Sequence, residues 1–346
     1  MYHHHLTLMH KCTSAMLGHQ WQISYNKMRH LLTIYYLTIL ILAGGTGSIK
    51  LVRGLAAIKK DVVVICNVGD NIWMHGLYVC PDIDTIFYGL ANILDQKRGW
   101  GIKGDSFQCL AQMKKIGAPA WFGIGDRDLA IHLLRTSMMK DGKTLSDITN
   151  FFRKCYSISA ELIPATDREV TTRIVTTSKG DMHLQEFWVK HKGRLTVTDV
   201  RYDNASTTTA NSAAIDAIKR CNPVIIAPAN PVSSIGPIIA LSDLREKLVQ
   251  NRDKVIAVSP LIGRKAVSGP AIKYMRARGI ENTSVGVARH YRDFVSKFIL
   301  SKEDHSMKLQ IEALDMQVYE TNITMKARRD EVRLARRLLK LVEKKN

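Results

Sequence analysis

Two aspartates one residue apart, Asp82 and Asp84 in CPDIDT at 80–85, are the pair in this chain best suited to hold a divalent cation or to orient an attacking alcohol. A helical pattern follows over 86–94, and capping that helix needs only one carboxylate. A metal or substrate role is therefore assigned to at least Asp84, the one nearer the helix. In an extended Pro-Asp-Ile-Asp segment, alternation would put both carboxylates on one side.

Such a pair calls for an anionic ligand, and LAGGTGS at 42–48 is built to receive one. Gly44, Gly45 and Gly47 can take backbone angles closed to other residues. Lacking side chains, they let an oxyanion reach main-chain N–H groups at the positive end of the following helix, with Thr46 and Ser48 in the same turn. No Gly-Lys-Ser/Thr closes the loop as in a Walker motif, and the third glycine of the dinucleotide fingerprint is missing. The expected ligand is a nucleotide or another phosphate ester, and not NAD.

The elements that must position these residues read as alternating strands and helices. An apolar run leads into the glycine turn, and Leu51, Val52, Leu55 and Ile58 then repeat at helical spacing. The β-branched run VVVIC at 62–66 is a strand buried on both faces, so the helix between the two runs makes a parallel crossover. Ligands in such sheets sit at the carboxyl ends of strands, which sets Asn67, Asp70 and Asn71 beside the glycine turn. A glycine-rich loop at 99–104 carries Trp100, a stacking face for a planar ring, and GDRD at 125–128 places Asp126 and Arg127 at a short strand end. Residues 145–205 turn β-rich and read as a small antiparallel insertion, with 184–189 as one of its short runs. Two further buried strands, within 223–227 and 254–260, lead into loops containing Asn230, Ser233 and Ser234, and Ser268 and Gly269. The fold class is α/β, a Rossmann-like parallel sheet with helices on both faces.

At 346 residues the chain can bury a sizeable core, here expected as a single α/β domain over 38–346 after an extension over 1–37 that carries little fixed structure. Basic and apolar residues over 27–43 resemble a secretory signal, but cleavage after Ala43 would sever the first strand from its turn; an early start annotation, with Met28 as one true start, accounts for the same residues. Six cysteines without CxxC spacing, several in apolar runs, fit reduced core thiols and a cytoplasmic setting. The net charge of +19 favours an anionic partner. Its densest block, over 324–346, has nine Lys/Arg against three Asp/Glu around an apolar stripe of Val332, Ala335, Leu338, Leu339 and Val342, and reads as an amphipathic helix with a solvated basic face. Neither a nucleic-acid nor a membrane partner is expected.

These motifs, taken in order, resemble the 2-phospho-L-lactate transferase family. LAGGTGS at 42–48, PDIDT at 81–85, WGI at 100–102, GDRD at 125–128, HLQEFWV at 183–189, NPVSSIGPI at 230–238, AVSPLIG at 257–263 and VSGPA at 267–271 follow one another in this order, and the resemblance runs from residue 40 almost to the end of the chain. The resemblance implies a Mg²⁺-dependent homodimer that moves a phospholactyl group from lactyl-diphospho-guanosine, or a phosphoenolpyruvyl group from the related donor, to the ribityl hydroxyl of the deazaflavin Fo. GMP leaves, and coenzyme F-420-0 forms. It also implies that residues 44–48 serve the diphosphate, that Asp84 with Asp82 holds Mg²⁺ or orients the alcohol, and that Asn230, Ser233, Ser234, Ser268 and Gly269 surround the guanosine or its phosphates. The family pattern begins at the first strand, so the first 37 residues have no counterpart in it. The nearest alternative is the related family of glycine-turn proteins that bind nucleotide sugars as regulators. A dehydrogenase with Asp70 on a ribose is poor without the third glycine, and a nucleic-acid module leaves the ordered motifs unexplained.

Overall fold

The computed structural model describes residues 38–59, 61–266 and 270–343. Seven parallel strands form the central sheet, in the spatial order Gln317–Thr321, Lys297–Ser301, Val255–Val258, Val224–Ile226, Ile39–Ala43, Val62–Cys66, Glu161–Pro164. The inner strands are continuous apolar runs because helices cover both sheet faces, so side chains on either side of the pleat are removed from water. The expected α/β architecture is present.

The chain builds the sheet outward in one direction from Ile39–Ala43, then returns and builds it in the other from Val224–Ile226. The order therefore reverses between those two neighbours. Loops leaving their carboxyl ends diverge there and open a crevice, the topological switch point at which such sheets bind ligands. The glycine turn leaves one of these strands, and the Asn230 loop leaves the other.

The first helix, α1 (Gly45–Ala56), is buried on several faces, because α2 (Pro81–Leu90) and the C-terminal helix Arg328–Glu343 both pack on it. Close approach is set by glycine: a Cβ on Gly89 would meet Ile49 at 2.2 Å, and one on Gly54 would meet the Glu331 carbonyl oxygen at 2.4 Å. The C-terminal helix buries Leu334, Ala335 and Leu338, while Arg333, Arg336, Arg337 and Lys340 face solvent. Its acidic residue Glu331 is buried and paired with Arg53 of α1. The basic block thus includes a docked element with one solvated face, as its patterning implied.

Two expectations about the middle of the chain are corrected. Residues 145–164 belong to the main architecture: the helix Leu145–Cys155 leads into the edge strand Glu161–Pro164. The antiparallel insertion is narrower, a three-stranded sheet of Thr171–Thr176, Gly180–His183 and Val197–Asp203. Within it, Glu186–Lys190 forms a π-helical turn and not a strand, with Phe187 buried and Trp188 exposed. Cys66, Cys80 and Cys221 are buried core thiols, whereas Cys109 and Cys155 are exposed. Residues 1–37, including the proposed start at Met28, lie outside the described residues. Among the described residues no helix is long and apolar enough to cross a membrane.

Candidate active site

A cleft of about 530 Å³ opens at the switch point, with Gly45, Thr46 and Gly47 at one end and Trp100, Phe122, Gly123, Trp188 and Val189 among its lining. Gly44 is the N-cap of α1 in extended conformation, and Gly45 turns the chain at φ +62, which favours glycine. Ser48 lies below the cleft: its Oγ accepts from the Gly44 N–H at 2.9 Å and donates to the Gly44 carbonyl at 3.0 Å, tying the turn shut. The next N–H groups of the helix start have no acidic side chain in the first turn to occupy them.

Asp82 sits directly over this turn. A Cβ on Gly44 would lie 2.7 Å from Asp82 Oδ2, and one on Gly45 would lie 2.7 Å from Asp82 Oδ1. Asn67 joins the floor together, with Nδ2 placed 2.8 Å from Asp82 Oδ2, 3.0 Å from Asp70 Oδ1 and 3.2 Å from the Ser233 carbonyl. Gln185 Nε2 donates to Asp70 Oδ2 at 3.3 Å. Burial raises both acids: Asp82 is pushed up to about 7, and Asp70 well above the ordinary carboxylate range by burial and the neighbouring Asp82 charge. Their hydrogen-bond donors are neutral amides, so two carboxylates share one buried floor with no basic partner donating to either among the described residues.

Asp84 also lines the cleft but points away from the glycine turn, and the reason is local. The helix begins at Pro81, so both aspartates stand in its first turn and not in an extended segment before it. Two residues apart on a helix are about 200° apart around its axis, so the side chains diverge. Asp84 points to α4 (Asp126–Lys140), where the buried guanidinium of Arg135 grips both its oxygens, Nη1 at 3.1 Å from Oδ2 and Nη2 closer still to Oδ1. Arg135 Nη1 also reaches the Tyr78 carbonyl and His132 Nδ1. Asp84 is paired with a side chain 51 residues away, whereas Asp82 has neutral amide donors, the reverse of the order expected for a cation ligand.

The remaining expected residues divide cleanly. Asn230, Ser233 and Ser234 line the cleft beside the glycine turn, and Trp100 lines its mouth with its ring under Gly123 and the Arg98 guanidinium 5.1 Å from its centroid. Asn230 Oδ1 accepts from the Val232 and Ser233 N–H groups, leaving its buried Nδ2 without a partner; the buried hydroxyl of Tyr274, also on the cleft wall, is likewise unpartnered. Asn71 faces away, donating to the Tyr78 hydroxyl and lining a separate groove with Trp73 and His183. Asp126 and Arg127 do not line the cleft. GDRD opens α4, and the Asp126 carboxylate accepts from the N–H groups of Gln108 and Cys109 at the start of α3 (Gln108–Lys115), while Arg127 is exposed. Ser268 and Gly269 lie outside the described residues.

Sequence reasoning missed Tyr88, Asp128 and His132, which line the cleft wall between helices α2 and α4. A signal existed, since Asp128, His132 and Arg135 recur at helical spacing and occupy the buried face of α4. A polar stripe at that spacing reads as a solvated face unless the sheet packing behind it is known.

The turn also makes a test. Gly45→Val puts a β-branched side chain at positive φ and against Asp82, so affinity for a guanosine diphosphate ligand should fall at least tenfold by calorimetry. Affinity for a planar ligand at the Trp100 end should change less than threefold; equal losses would point to a misfolded protein.

A family model described as 2-phospho-L-lactate transferase CofD matches residues 39–343. A 2-phospho-L-lactate transferase of Methanopyrus kandleri is 40% identical over 309 residues, covering 89% of this chain and 98% of the relative. One of Methanocaldococcus jannaschii is 37% identical over 306 residues, covering 87% and 97%. Among solved structures, a UPF0052 family member from Bacillus halodurans superposes with a TM-score of 0.61 at 14% identity, covering 88% of this chain and 99% of that one, which speaks to the fold alone.

Proposed function

This chain is a transferase belonging to the 2-phospho-L-lactate transferase CofD family, and from that membership we propose the finer reaction. It transfers a 2-phospholactyl or phosphoenolpyruvyl group from a guanosine-diphosphate-linked donor to the ribityl hydroxyl of the deazaflavin Fo, releasing GMP and forming coenzyme F-420-0. The observation that carries this reading is the single cleft joining a backbone phosphate cradle at residues 45–47 to an aromatic end at Trp100.

Transfer at phosphorus needs an alcohol in line with the leaving phosphate and donors aimed where negative charge grows. The free N–H groups at the start of α1 face the glycine end, and the unpartnered Asn230 Nδ2 adds a donor from the opposing loop. Ser233 and Ser234 bring short hydroxyls to the same wall. Trp100 offers a half-exposed indole face for a planar ring.

Two buried carboxylates lacking a basic donor fit a divalent cation, and Asp82 with Asp70 would hold Mg²⁺ there, Asn67 fixing both. Bound in that place, the ion supplies positive charge against the diphosphate. Among the described residues no cluster of three or more His, Cys, Asp or Glu side chains is arranged as a metal site, so the donor phosphates would complete the coordination. A homodimer is part of the same reading.

The deciding experiment incubates purified protein and Mg²⁺ with Fo and each guanylylated donor in turn, followed by mass spectrometry. One donor is expected to yield GMP and the phosphodiester product. Failure of both donors overturns the reaction.

A further inference from the structure

Beyond the phosphate floor, the cleft wall contains a buried side-chain chain that the transfer chemistry above leaves unused. On α2, Asp84 and Tyr88 are four residues apart and share the face turned to α4. From α4, Arg135 binds Asp84, and His132 stands between Arg135 and Asp128. His132 Nδ1 lies 3.0 Å from Arg135 Nη1, which can only donate. That nitrogen is therefore the acceptor, and the ring proton sits on Nε2, 3.3 Å from Asp128 Oδ1. The Tyr88 hydroxyl donates to the same Oδ1 in a short hydrogen bond. The backbone N–H of Asp128 is taken by Asp105 Oδ2 at 3.0 Å, which fixes the residue at the start of its helix.

Both side-chain donors converge on one oxygen of Asp128. Among the described residues no side chain donates to the other, Oδ2, and the residue lines the cleft. Although burial raises it, the hydrogen bonds from His132 and Tyr88 and the charge of Arg135 hold this carboxyl below its ordinary range. The result is a carboxylate acceptor held by two donors at a fixed angle. A carboxylate of that kind repels a diphosphate and accepts from a neutral hydroxyl. Tyr88 stands six residues beyond Asp82 on the same helix, roughly 9 Å along the axis at 1.5 Å per residue, which displaces this wall from the phosphate floor toward the neutral part of the bound pair.

We propose that Asp128 binds the alcohol substrate, accepting a hydrogen bond at Oδ2 from a hydroxyl of a neutral polyhydroxylated chain, and that His132 and Tyr88 are the positioning residues that aim it. This rests on the reaction proposed above and deepens it by assigning the polyol end of the acceptor to the wall between α2 and α4. The ligand class follows from charge: an oxygen-rich, uncharged chain suits Asp128, and an anionic one does not. His132 and Arg135 act on the substrate through Asp128.

The test measures Fo and GDP binding separately by calorimetry on the full chain, with steady-state kinetics alongside. Asp128→Asn keeps an oxygen for Tyr88 and His132 and turns an NH₂ to the cleft, so a neutral donor replaces the charged acceptor. Fo affinity is expected to fall at least tenfold, with GDP affinity within twofold of the parent. His132→Ala should raise KM for Fo in the same direction with kcat less affected, and His132→Gln, whose amide N–H mimics the Nε2 proton, should restore most of it. A merely structural His132 would lower the melting temperature without separating Fo from GDP. If Asp128→Asn lowers the melting temperature sharply, Tyr88→Phe, which keeps the carboxylate, must show the same Fo-selective loss at smaller size. Unchanged Fo binding in Asp128→Asn, or equal loss of both ligands in the well-folded variants, overturns the assignment. A parent protein that binds GDP but not Fo overturns the proposed reaction itself, a result read before any variant is made.

Discussion

Asp82→Asn should cut transfer by at least about 10²-fold, the scale for losing a positioned charged group at the reacting centre, without loss of stability. The amide retains an oxygen for Asn67 Nδ2 and keeps the side chain's size above Gly44 and Gly45, so the turn beneath it stays packed. What goes is one of two buried like charges. The sign of the stability change follows from proton linkage. In the metal-free protein Asp82 holds its proton up to about pH 7, against an ordinary value of 3.8. Between those values the folded state binds a proton that the unfolded state has lost, so this residue's contribution to stability falls as pH rises through the window. Asparagine removes that penalty, and the melting temperature at pH 7 should equal or exceed the parent's. Millimolar Mg²⁺ should raise the parent's melting temperature at pH 7 and leave the variant's nearly unchanged. A variant that turns over within a few-fold of the parent, or gains the same Mg²⁺ shift, would remove Asp82 from the floor's cation site.

Asp84→Asn should do the opposite: it should unfold the protein more easily. Its carboxylate is the counter-charge of Arg135, which is 2% exposed, and removing one partner of a buried ion pair leaves the other uncompensated, at a cost of about 3–5 kcal/mol. The amide oxygen can still accept one hydrogen bond, and Tyr78 and His132 remain within reach of Nη1, so the lower end of that range is expected. Denaturant unfolding measures it directly. The double variant Asp84→Asn with Arg135→Met should recover part of the loss, because it removes the stranded charge while filling much of the same volume. Full stability in the single variant, with a selective rate loss, would return Asp84 to the chemistry. The two aspartates of one short motif thus separate by experiment into a reacting-site residue and a residue that holds α2 to α4.

Much of this architecture was legible from local sequence. Runs such as ILILA at 39–43 and VVVIC at 62–66 are strands because they are apolar without alternation, a pattern that only a sheet covered on both faces accommodates. The glycine turn was readable for the same reason, since the φ of Gly45 and the approach of Asp82 are demands on a few adjacent residues. The placing of Asn67, Asp70, Asn230 and Ser233 near the glycine turn followed from a rule, as polar residues just past the carboxyl ends of buried strands. That rule overreached at Asn71, one residue past the useful position, and at Asp126 and Arg127, which begin a helix where a strand end was expected.

Only the tertiary structure decided how the acidic residues divide their work. Whether Asp82 and Asp84 face one way or two turns on a single helix start, and moving it to Pro81 converts an alternating segment into a diverging one. Arg135 is an unremarkable basic residue in the sequence until α4 packs on α2, at which point it neutralises Asp84 and leaves Asp82 with Asp70 over the glycine turn. Similarly, the unpartnered Asn230 Nδ2 and the doubly held Asp128 are facts about what surrounds an atom in space. Composition and periodicity set which surfaces are buried, because burial is roughly proportional to apolar area and needs no partner's identity. Pairing among buried polar groups depends on angles and on distances of a few ångströms, which residues far apart in the chain acquire only on folding.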